Sequence, residues 1–240
     1  MDLLPLLLIT AGATALAVLS QLLTGFGFAL VIVPILLLIA EPAETVGMAV
    51  VLGLVMCAIM TWRDRQHVDR GKIAELLLGS LIGLPIGAAA LAWLPDAALK
   101  WVIVASVSGA LLVVVANLAL RNRRSTTTAV GLLSGALLTS TGINGPPLVA
   151  LLRANQYPPS RYRATLSAIF TVQNSVGAAL LAGTGKLSLL FLAMLGAGLL
   201  AMPPAFWLGE RLFHRIDAAR LRQGIIGMLL LCLVSVLWFR

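Results

Sequence analysis

The chain has 240 residues, of which 60% are hydrophobic and 11% are charged, and its mean hydropathy is +1.02. Soluble domains typically have about 45–50% apolar and about 25% charged residues. The composition therefore excludes a soluble enzyme, a nucleic-acid-binding domain, a disulfide scaffold and a disordered chain. The net charge of +8 needs no acidic partner, because basic residues collect in the cytoplasmic loops of membrane proteins. The sequence predicts an all-α polytopic membrane protein with one transmembrane domain over residues 1–240.

Polar breaks divide the chain into eight long apolar segments. They run over about 3–40, 43–62, 72–94, 98–120, 128–152, 163–183, 187–208 and 220–239. Six of them are close to the roughly 20 residues that cross a bilayer as a helix. The other two are interrupted, the first at residues 24–27 and the fifth at residues 140–147. These two segments therefore do not fit a single continuous membrane-spanning helix.

The two interrupted segments occupy equivalent places in an internal repeat. A shift of 117 residues puts Thr24-Gly25 on Thr141-Gly142, Pro42 on Pro159 and Gly79 on Gly196. A shift of 118 relates Pro85 to Pro203, and a shift of 121 relates residues 96–98 to 217–219. We interpret residues 1–120 and 125–240 as two copies of one unit.

The basic residues indicate how the segments cross the membrane. If each interrupted segment is a hairpin that enters and leaves on one side, only Lys100, Lys186 and Arg240 lie on one face. The opposite face then carries Arg63, Arg65, Arg70, Lys72, Arg121, Arg123, Arg124, Arg153, Arg161, Arg163, Arg211, Arg215, Arg220 and Arg222. Such an excess of basic residues on one face is typical of the cytoplasmic loops of a membrane protein. If all eight segments instead cross the membrane once, the basic residues divide almost equally between the two faces.

The hairpin arrangement predicts inverted repeats. Each copy has one broken hairpin and three crossings, an odd number, so the second copy is inverted relative to the first. Inverted repeats with broken helices in matching positions are common in secondary transporters. The first arm of the first hairpin, about 3–23, is also long enough to cross a bilayer alone.

The residues of the second break are unsuited to a continuous helix. Pro146 and Pro147 lack an amide proton, and Gly142 and Gly145 tolerate unusual conformations. Backbone groups freed at a break in hydrocarbon need protein, water or a solute as a partner, and the start of a half-helix favours an anion. The alternative is a kink that only improves helix packing.

Uncharged polar side chains surround both breaks, which predicts a binding site between them for a solute that brings its own charge. The predicted site residues are Gln21, Thr24, Gly25, Gly27, Ser140, Thr141, Gly142, Asn144, Gly145, Pro146 and, midway along the next helix, Asn174. Gln173 and Ser175 flank Asn174 in the sequence. The alternative role of such side chains is hydrogen bonding between helices.

Two arginines after the second break, Arg161 and Arg163, complete the predicted site. Arginine is suited to bidentate contacts with oxyanions, so these residues could attract anions to the entrance. The alternative is that they only orient the helices by their positive charge.

The middle of every segment lacks an acidic or basic residue. A relay of buried carboxylates therefore has no candidate, and no metal site, nucleotide-binding loop or other cofactor site is predicted. Ser134-Gly135 superficially resembles part of an intramembrane serine protease, but no histidine lies within a segment to act as a base. The sequence argues against an enzyme.

Two stretches, LLTGFGFALVIVPILLLIAEP and STGINGPPLVALLRANQYPPSRYRATLSAIF, resemble the sulfite exporter TauE/SafE family of permeases (also called TSUP). The family has a Gly-rich break followed by proline at the head of each repeat, and an Arg-Ala pair, here Arg163-Ala164, that opens the next helix. The resemblance implies transport of sulfite, organosulfonates or related sulfur anions. Phe26 and Phe28 replace the small residues common in the first break, which narrows the expected site.

These observations predict a secondary transporter, and specifically an exporter, of small sulfur-containing anions that works by alternating access between the breaks. The alternative functions are an anion channel and a permease for another small anion. The expected location is the bacterial inner membrane. The expected partners are the anion and the lipid bilayer, with a homodimer as a further candidate assembly and no nucleic acid.

Overall fold

The computed structural model describes residues 3–116, 118–120, 123–183 and 188–213, together with residues 223 and 227 singly. All the regular structure of these residues is helical. The helices are α1 (Leu3–Thr24), α2 (Phe28–Leu36), α3 (Pro42–Arg63), α4 (Arg70–Trp93), α5 (Asp96–Val115), α6 (Arg124–Thr141), α7 (Gly145–Arg153), α8 (Pro159–Ala182) and α9 (Leu189–Phe213), and a 3-10 turn covers Arg65–His67. The predicted segment 220–239 lies outside the described residues except at 223 and 227, as do Arg121, Lys186, Arg215, Arg220, Arg222 and Arg240.

Among the described helices, α1, α3, α4, α5, α8 and α9 are long and apolar enough to cross a membrane. This confirms the prediction of an all-helical, multi-pass membrane protein.

Both interrupted segments consist of a longer helix, a three-residue connection and a nine-residue helix. In each connection one glycine has a left-handed backbone, with φ of 81° at Gly25 and 77° at Gly142. Glycine adopts this conformation without the steric cost of a Cβ atom. The arms of the segments are unequal, because α1 has 22 residues whereas a nine-residue helix is only about 13 Å long.

Helices α3 and α8 run antiparallel through the middle of the bundle. The Thr61 and Thr171 hydroxyls are 3.0 Å apart, and Gly53, ten residues from the end of α3, lies beside Asn174. Both helices are therefore in contact near their centres, where each presents polar or small residues to the other.

Helices α4 and α6 pack in unusually close contact and run in the same direction. Gly79, Gly83 and Gly87 recur every fourth residue on α4, and a Cβ atom added at any of them would lie 2.0–2.1 Å from a backbone oxygen of α6. Gly131 and Gly135 present the matching face of α6 to α4. Small residues with this spacing let helix backbones approach each other in membranes.

Helices α1 and α9 form a second pair in close contact. Thr14 and Leu52 approach Gly198, and Leu22 approaches Gly209, so α1 and α9 also run in the same direction.

Charged contacts join several helices at one end of the bundle, which we call the basic end. Arg63 at the end of α3 pairs with Glu210 near the end of α9, and Lys72 near the start of α4 donates to Thr127 near the start of α6. The start of α8 lies here too. At the opposite end, the starts of α3 and α9 meet.

Candidate functional site

The first break is held by Gln21, which spans it from the last turn of α1. Gln21 Nε2 donates to the Gly25 carbonyl over 2.9 Å, and Gln21 Oε1 accepts the Phe28 N–H over 3.0 Å. Both ends of the connection are thereby tied to one buried side chain. Gln21 Nε2 also lies 3.7 Å from the Cys57 sulfur on α3, which links the break to the central helices.

Thr24 and Thr141 cap the helix ends at the two breaks. The Thr24 hydroxyl donates to the Ser20 carbonyl over 2.8 Å and accepts the Phe26 N–H over 3.3 Å. Thr141 donates to the Leu137 carbonyl over 2.7 Å and accepts the Ile143 N–H over 3.2 Å. Because both hydroxyl protons are used locally, the threonines shape the breaks in this conformation rather than offering a donor to a solute.

The second break is held from outside, by a buried polar network. Asn144 Nδ2 donates to Gln173 Oε1 over 2.6 Å, and Gln173 Nε2 donates to Ser80 Oγ over 2.7 Å. Ser134 Oγ donates to the Asn144 carbonyl over 3.1 Å and lies 3.3 Å from Gln173 Oε1. The side chains of α4, α6 and α8 thus fix the position of Asn144.

The two breaks meet around a small cavity in the middle of the bundle. Gly145 at the start of α7 approaches the Cβ and carbonyl of Phe26 in the first break. The cavity is narrow and has a volume of about 290 Å³, including solvent at its mouth. Its walls are Gln21, Phe26, Phe28, Ala29, Ala49, Gly53, Cys57, Gly142, Asn144, Phe170 and Asn174.

The walls of this cavity carry no charged side chain among the described residues. Gln21, Asn144 and Asn174 provide hydrogen-bonding groups, and Asn174 Nδ2 donates to the Phe170 carbonyl over 2.8 Å. Phe26, Phe28 and Phe170 occupy much of the remaining wall and narrow the space. Room for a small uncharged or singly charged solute would require these rings to move.

The half-helices differ in what they can offer an anion. Helix α7 begins Gly145-Pro146-Pro147, so only the first of these residues has an N–H. Helix α2 begins Phe28-Ala29-Leu30, and all three have one, although the Phe28 N–H is taken by Gln21. Since the first N–H groups of a helix have no partner within it, α2 is the better anion-binding end.

The predicted residues fall into three groups. Gln21, Gly142, Asn144 and Asn174 line the cavity together. The residues that shape the breaks behind this wall are Thr24, Gly25, Gly27, Ser140, Thr141, Gly145 and Pro146, and Ser140 donates to the Ala136 carbonyl within its own helix. Arg161 and Arg163 lie apart from the cavity, at the basic end.

Gly27 is required by close packing. A Cβ atom there would lie 2.0 Å from Ser20 Oγ and 2.8 Å from Thr24 Oγ1. Its φ of −80° is ordinary, so the restriction comes from space alone.

Arg161 and Arg163 each face an aspartate. Arg161 donates to Asp69 over 2.8 Å, and Arg163 lies 4.0 Å from Asp64. The aliphatic part of Arg163 also contacts Gly25, so this arginine lies beneath the first break. Either guanidinium would have to leave its carboxylate to bind an anion fully.

Asp69 is the centre of a second cluster at the basic end. The N–H of Lys72 and the Tyr157 hydroxyl donate to it, and these bonds hold the pKa of Asp69 below its ordinary value of 3.8. Partial burial, together with the hydrogen bond to Asp69 and its charge, raises the pKa of Tyr157 to about 12. Tyr157 therefore stays a proton donor at any physiological pH.

Sequence reasoning did not assign Gln173, Ser80, Ser134, Cys57 or Phe170 to the site. Gln173 carried the clearest signal, because a glutamine beside Asn174 in the middle of an apolar helix needs a buried partner. Cys57 and Phe170 are ordinary core residues in the sequence, and only the meeting of α3 with α8 brings them to the cavity.

Comparison with known proteins agrees with this architecture. The family model described as "Sulfite exporter TauE/SafE" matches residues 10–236. The chain is similar to a protein of Cupriavidus necator named "Probable sulfite/organosulfonate exporter TauE", with 26% identity over 220 residues, 88% of this chain and 85% of the relative. No solved structure gives a significant match. Since the family model covers nearly the whole chain, the protein belongs to the sulfite exporter TauE/SafE family.

Proposed function

We propose that the protein is a secondary transporter that exports sulfite or organosulfonates by alternating access. Its family is a family of membrane transporters and not of enzymes, and the name of the Cupriavidus necator relative supports sulfur anions as the substrate class. The observation that carries the proposal is the uncharged cavity between the two helix breaks, whose wall includes the polar side chains of Gln21, Asn144 and Asn174.

The anion would bind at the start of α2. Ala29 lines the cavity and lies in the first turn of that helix, where backbone N–H groups and the helix dipole favour negative charge. Asn144 and Asn174 would add side-chain hydrogen bonds from the other repeat. Gln21, Gly142 and Thr141 would hold the surrounding backbone in the shape that this site needs.

The narrow cavity supports a carrier over a channel. Its three phenylalanine rings leave little continuous space, whereas a conducting filter needs a path that solutes can enter and leave.

The helix directions support inverted repeats with boundaries at 1–120 and 125–240. Helix α4 runs along α6 from the basic end, while the equivalent α9 runs along α1 from the opposite end. Helices α3 and α8, which are also equivalent, run antiparallel to each other. Rocking of two such units around a shared site is a common mechanism of secondary transport.

Arg161 and Arg163 would attract anions to the basic end, which the distribution of charge assigns to the cytoplasm. Collection of substrate at the cytoplasmic entrance fits an exporter of the bacterial inner membrane. A homodimer would place two such units side by side, and chemical cross-linking in native membranes would test this assembly.

Flux from proteoliposomes tests the proposed function. We expect saturable efflux of sulfite and of a short organosulfonate, with a response to an imposed pH gradient if protons are coupled. Vesicles of the same composition without protein are the control for leakage.

Linear, unsaturated flux would favour the anion channel instead. No flux of either anion through folded protein would contradict the sulfur assignment, and carboxylates and phosphate would then be tested as substrates in the same vesicles.

A further inference from the structure

Two contacts outside the proposed site lie at opposite ends of the bundle. At the basic end, Arg161 of α8 donates to Asp69, the residue just before α4, over 2.8 Å. At the opposite end, Ser188, the residue just before α9, donates to Glu44 of α3. Glu44 and Arg161 are 117 positions apart, the offset that also relates Pro42 to Pro159. Asp69 and Ser188 are 119 positions apart, and each lies directly before one of the two helices, α4 and α9, that the repeat pairs. The two contacts therefore occupy corresponding places at the two ends.

Asp69 and Ser188 also have the same local role. Asp69 Oδ1 accepts the N–H of Lys72 over 3.0 Å, and Ser188 Oγ accepts the N–H of Phe191 over 3.1 Å. Each residue thus caps the third residue of the helix that follows it, as serine and aspartate commonly do. The cap fixes each side chain to the start of its helix, so the partner across the bundle contacts a rigid group.

Each contact joins one repeat to the other. Asp69 belongs to the first repeat and Arg161 to the second, while Glu44 belongs to the first and Ser188 to the second. If one repeat rotates relative to the other, the contact at the end that opens is therefore stretched.

The chemistry of the two contacts differs. At the basic end, Asp69 also accepts from Tyr157 over 2.8 Å, its N–H donates to Thr165 over 3.1 Å, and Arg161 is half exposed. At the opposite end, Glu44 is buried, with 7% of its surface exposed. A solute anion that reaches the basic end can compete with Asp69 for the guanidinium of Arg161.

We infer that Asp69–Arg161 and Glu44–Ser188 are the gate contacts of the transport cycle, one for each end. The inference rests on the proposed alternating access, in which each end must open in turn. Both contacts are formed in this structure, and the cavity between the breaks is narrow. An anion that draws Arg161 away from Asp69 would open the basic end.

Cys57 provides a reporter that does not depend on the substrate, because it lines the cavity. Cys232→Ser gives a protein in which Cys57 is the single cysteine. A membrane-impermeant thiol reagent is then added to either side of oriented vesicles, and the rate of Cys57 labelling is measured.

Two substitutions open the ends separately while they leave the helix caps in place. Asp69→Asn removes the charge that holds Arg161, and asparagine remains a good cap. Glu44→Leu removes the acceptor of Ser188, which keeps its bond to Phe191. The matched controls are Arg65→Gln at the basic end and Glu41→Gln at the opposite end, both at exposed positions.

We expect Asp69→Asn to increase labelling from the basic face about two- to fivefold, the effect of losing a partly exposed ion pair. Glu44→Leu should increase labelling from the other face. Tyr157→Phe, which removes a hydrogen bond to Asp69, should also increase labelling from the basic face. If both variants give this result, misfolding of one of them does not explain it. Unchanged labelling, absence of labelling, or an equal increase from both faces would overturn the gate assignment. If labelling is side-specific but the protein transports no sulfur anion, the gate assignment stands and the proposed substrate is wrong.

Discussion

Gly25 and Gly142, 117 positions apart, adopt the same left-handed conformation, with φ of 81° and 77°. Each follows a threonine whose hydroxyl accepts an N–H two residues ahead. The same three-residue motif therefore ends a long helix at both breaks. Because its hydrogen bond is local, the motif can form at each break independently of the other.

The first break should tolerate no side chain at Gly27. Gly27→Ala would bring a Cβ atom to 2.0 Å from Ser20 Oγ, and we expect it to destabilise the protein by about 1–3 kcal/mol, the usual cost of overpacking. Ser20→Ala should restore part of this loss in the double variant, because it removes the nearest atom. Thermal unfolding in detergent measures all three variants. Equal stability of the single and double variants would contradict the contact.

Gly25→Ala should behave differently from Gly27→Ala. Here the cost comes from the positive φ of 81°, about 1–2 kcal/mol for a residue with a Cβ atom. Ser20→Ala should give no rescue of this variant. A rescue as large as that of Gly27→Ala would show that space, and not backbone strain, limits both positions.

The seam between α4 and α6 should be the most sensitive packing surface of the described helices. A Cβ atom at Gly83 would lie 2.0 Å from the Leu132 carbonyl oxygen, so Gly83→Ala forces the two backbones apart. We expect a loss of about 1–3 kcal/mol and a lower unfolding temperature. Gly109→Ala is the control, because nothing lies within 4 Å of its Cβ position, and alanine there favours the helix.

Sequence reasoning located the breaks because their causes are local. Proline and glycine interrupt a helix through their own backbone chemistry, and the threonine caps reach only two residues. The same reasoning placed Gln21, Asn144 and Asn174 at one site, and the structure brings them to one cavity.

The network around Gln173 could not be predicted in the same way. Its partner Ser80 is 93 residues away, and the pairing depends on how closely α4 and α6 approach. The glycines that permit this approach recur every fourth residue in the sequence, yet the helix that faces them follows only from the fold. The contact of Arg161 with Asp69 likewise joins residues that are 92 positions apart.

Gln173 should act as a positioning residue for Asn144. Gln173→Leu removes the acceptor of Asn144 and the donor to Ser80, and leaving buried polar groups without partners costs about 1–3 kcal/mol. We expect a raised KM for anion flux, because Asn144 is no longer held at the cavity. Ser175→Leu, at an exposed position one residue beyond Asn174, is the control. An unchanged KM in folded Gln173→Leu protein would limit the network to a packing role.

The stability contributed by Asp69 should be lost only in acid. Its pKa is lowered in the folded protein, so its contribution is complete above the ordinary value of 3.8 and declines as the pH falls through the lower, folded value. Tyr157→Phe removes one of the bonds responsible, so the folded pKa of Asp69 moves back towards 3.8, and the loss of stability in acid should be smaller and complete at a higher pH. Unfolding temperatures between about pH 3 and pH 7 would measure this shift, and Asp69→Asn should abolish it. A pH profile identical in wild type and Tyr157→Phe would contradict the assigned bond.

Asn144→Leu should abolish transport while the protein still folds and inserts. Asn144 lines the cavity. Ser134 and Gln173 hydrogen-bond to Asn144 and thereby hold it at the cavity wall. Leucine is close to asparagine in size but has no hydrogen-bonding group. A solute anion would therefore lose a hydrogen-bond donor, and Gln173 would lose its bond to the side chain at position 144.

Thr128→Leu, at an exposed position on the first turns of α6, makes a comparable polar-to-apolar change away from the cavity and should leave flux unchanged. Sulfite efflux from proteoliposomes, normalised to the amount of reconstituted protein, decides the result. Full activity of Asn144→Leu would remove Asn144 from the site and would leave the start of α2 as the remaining candidate for anion binding.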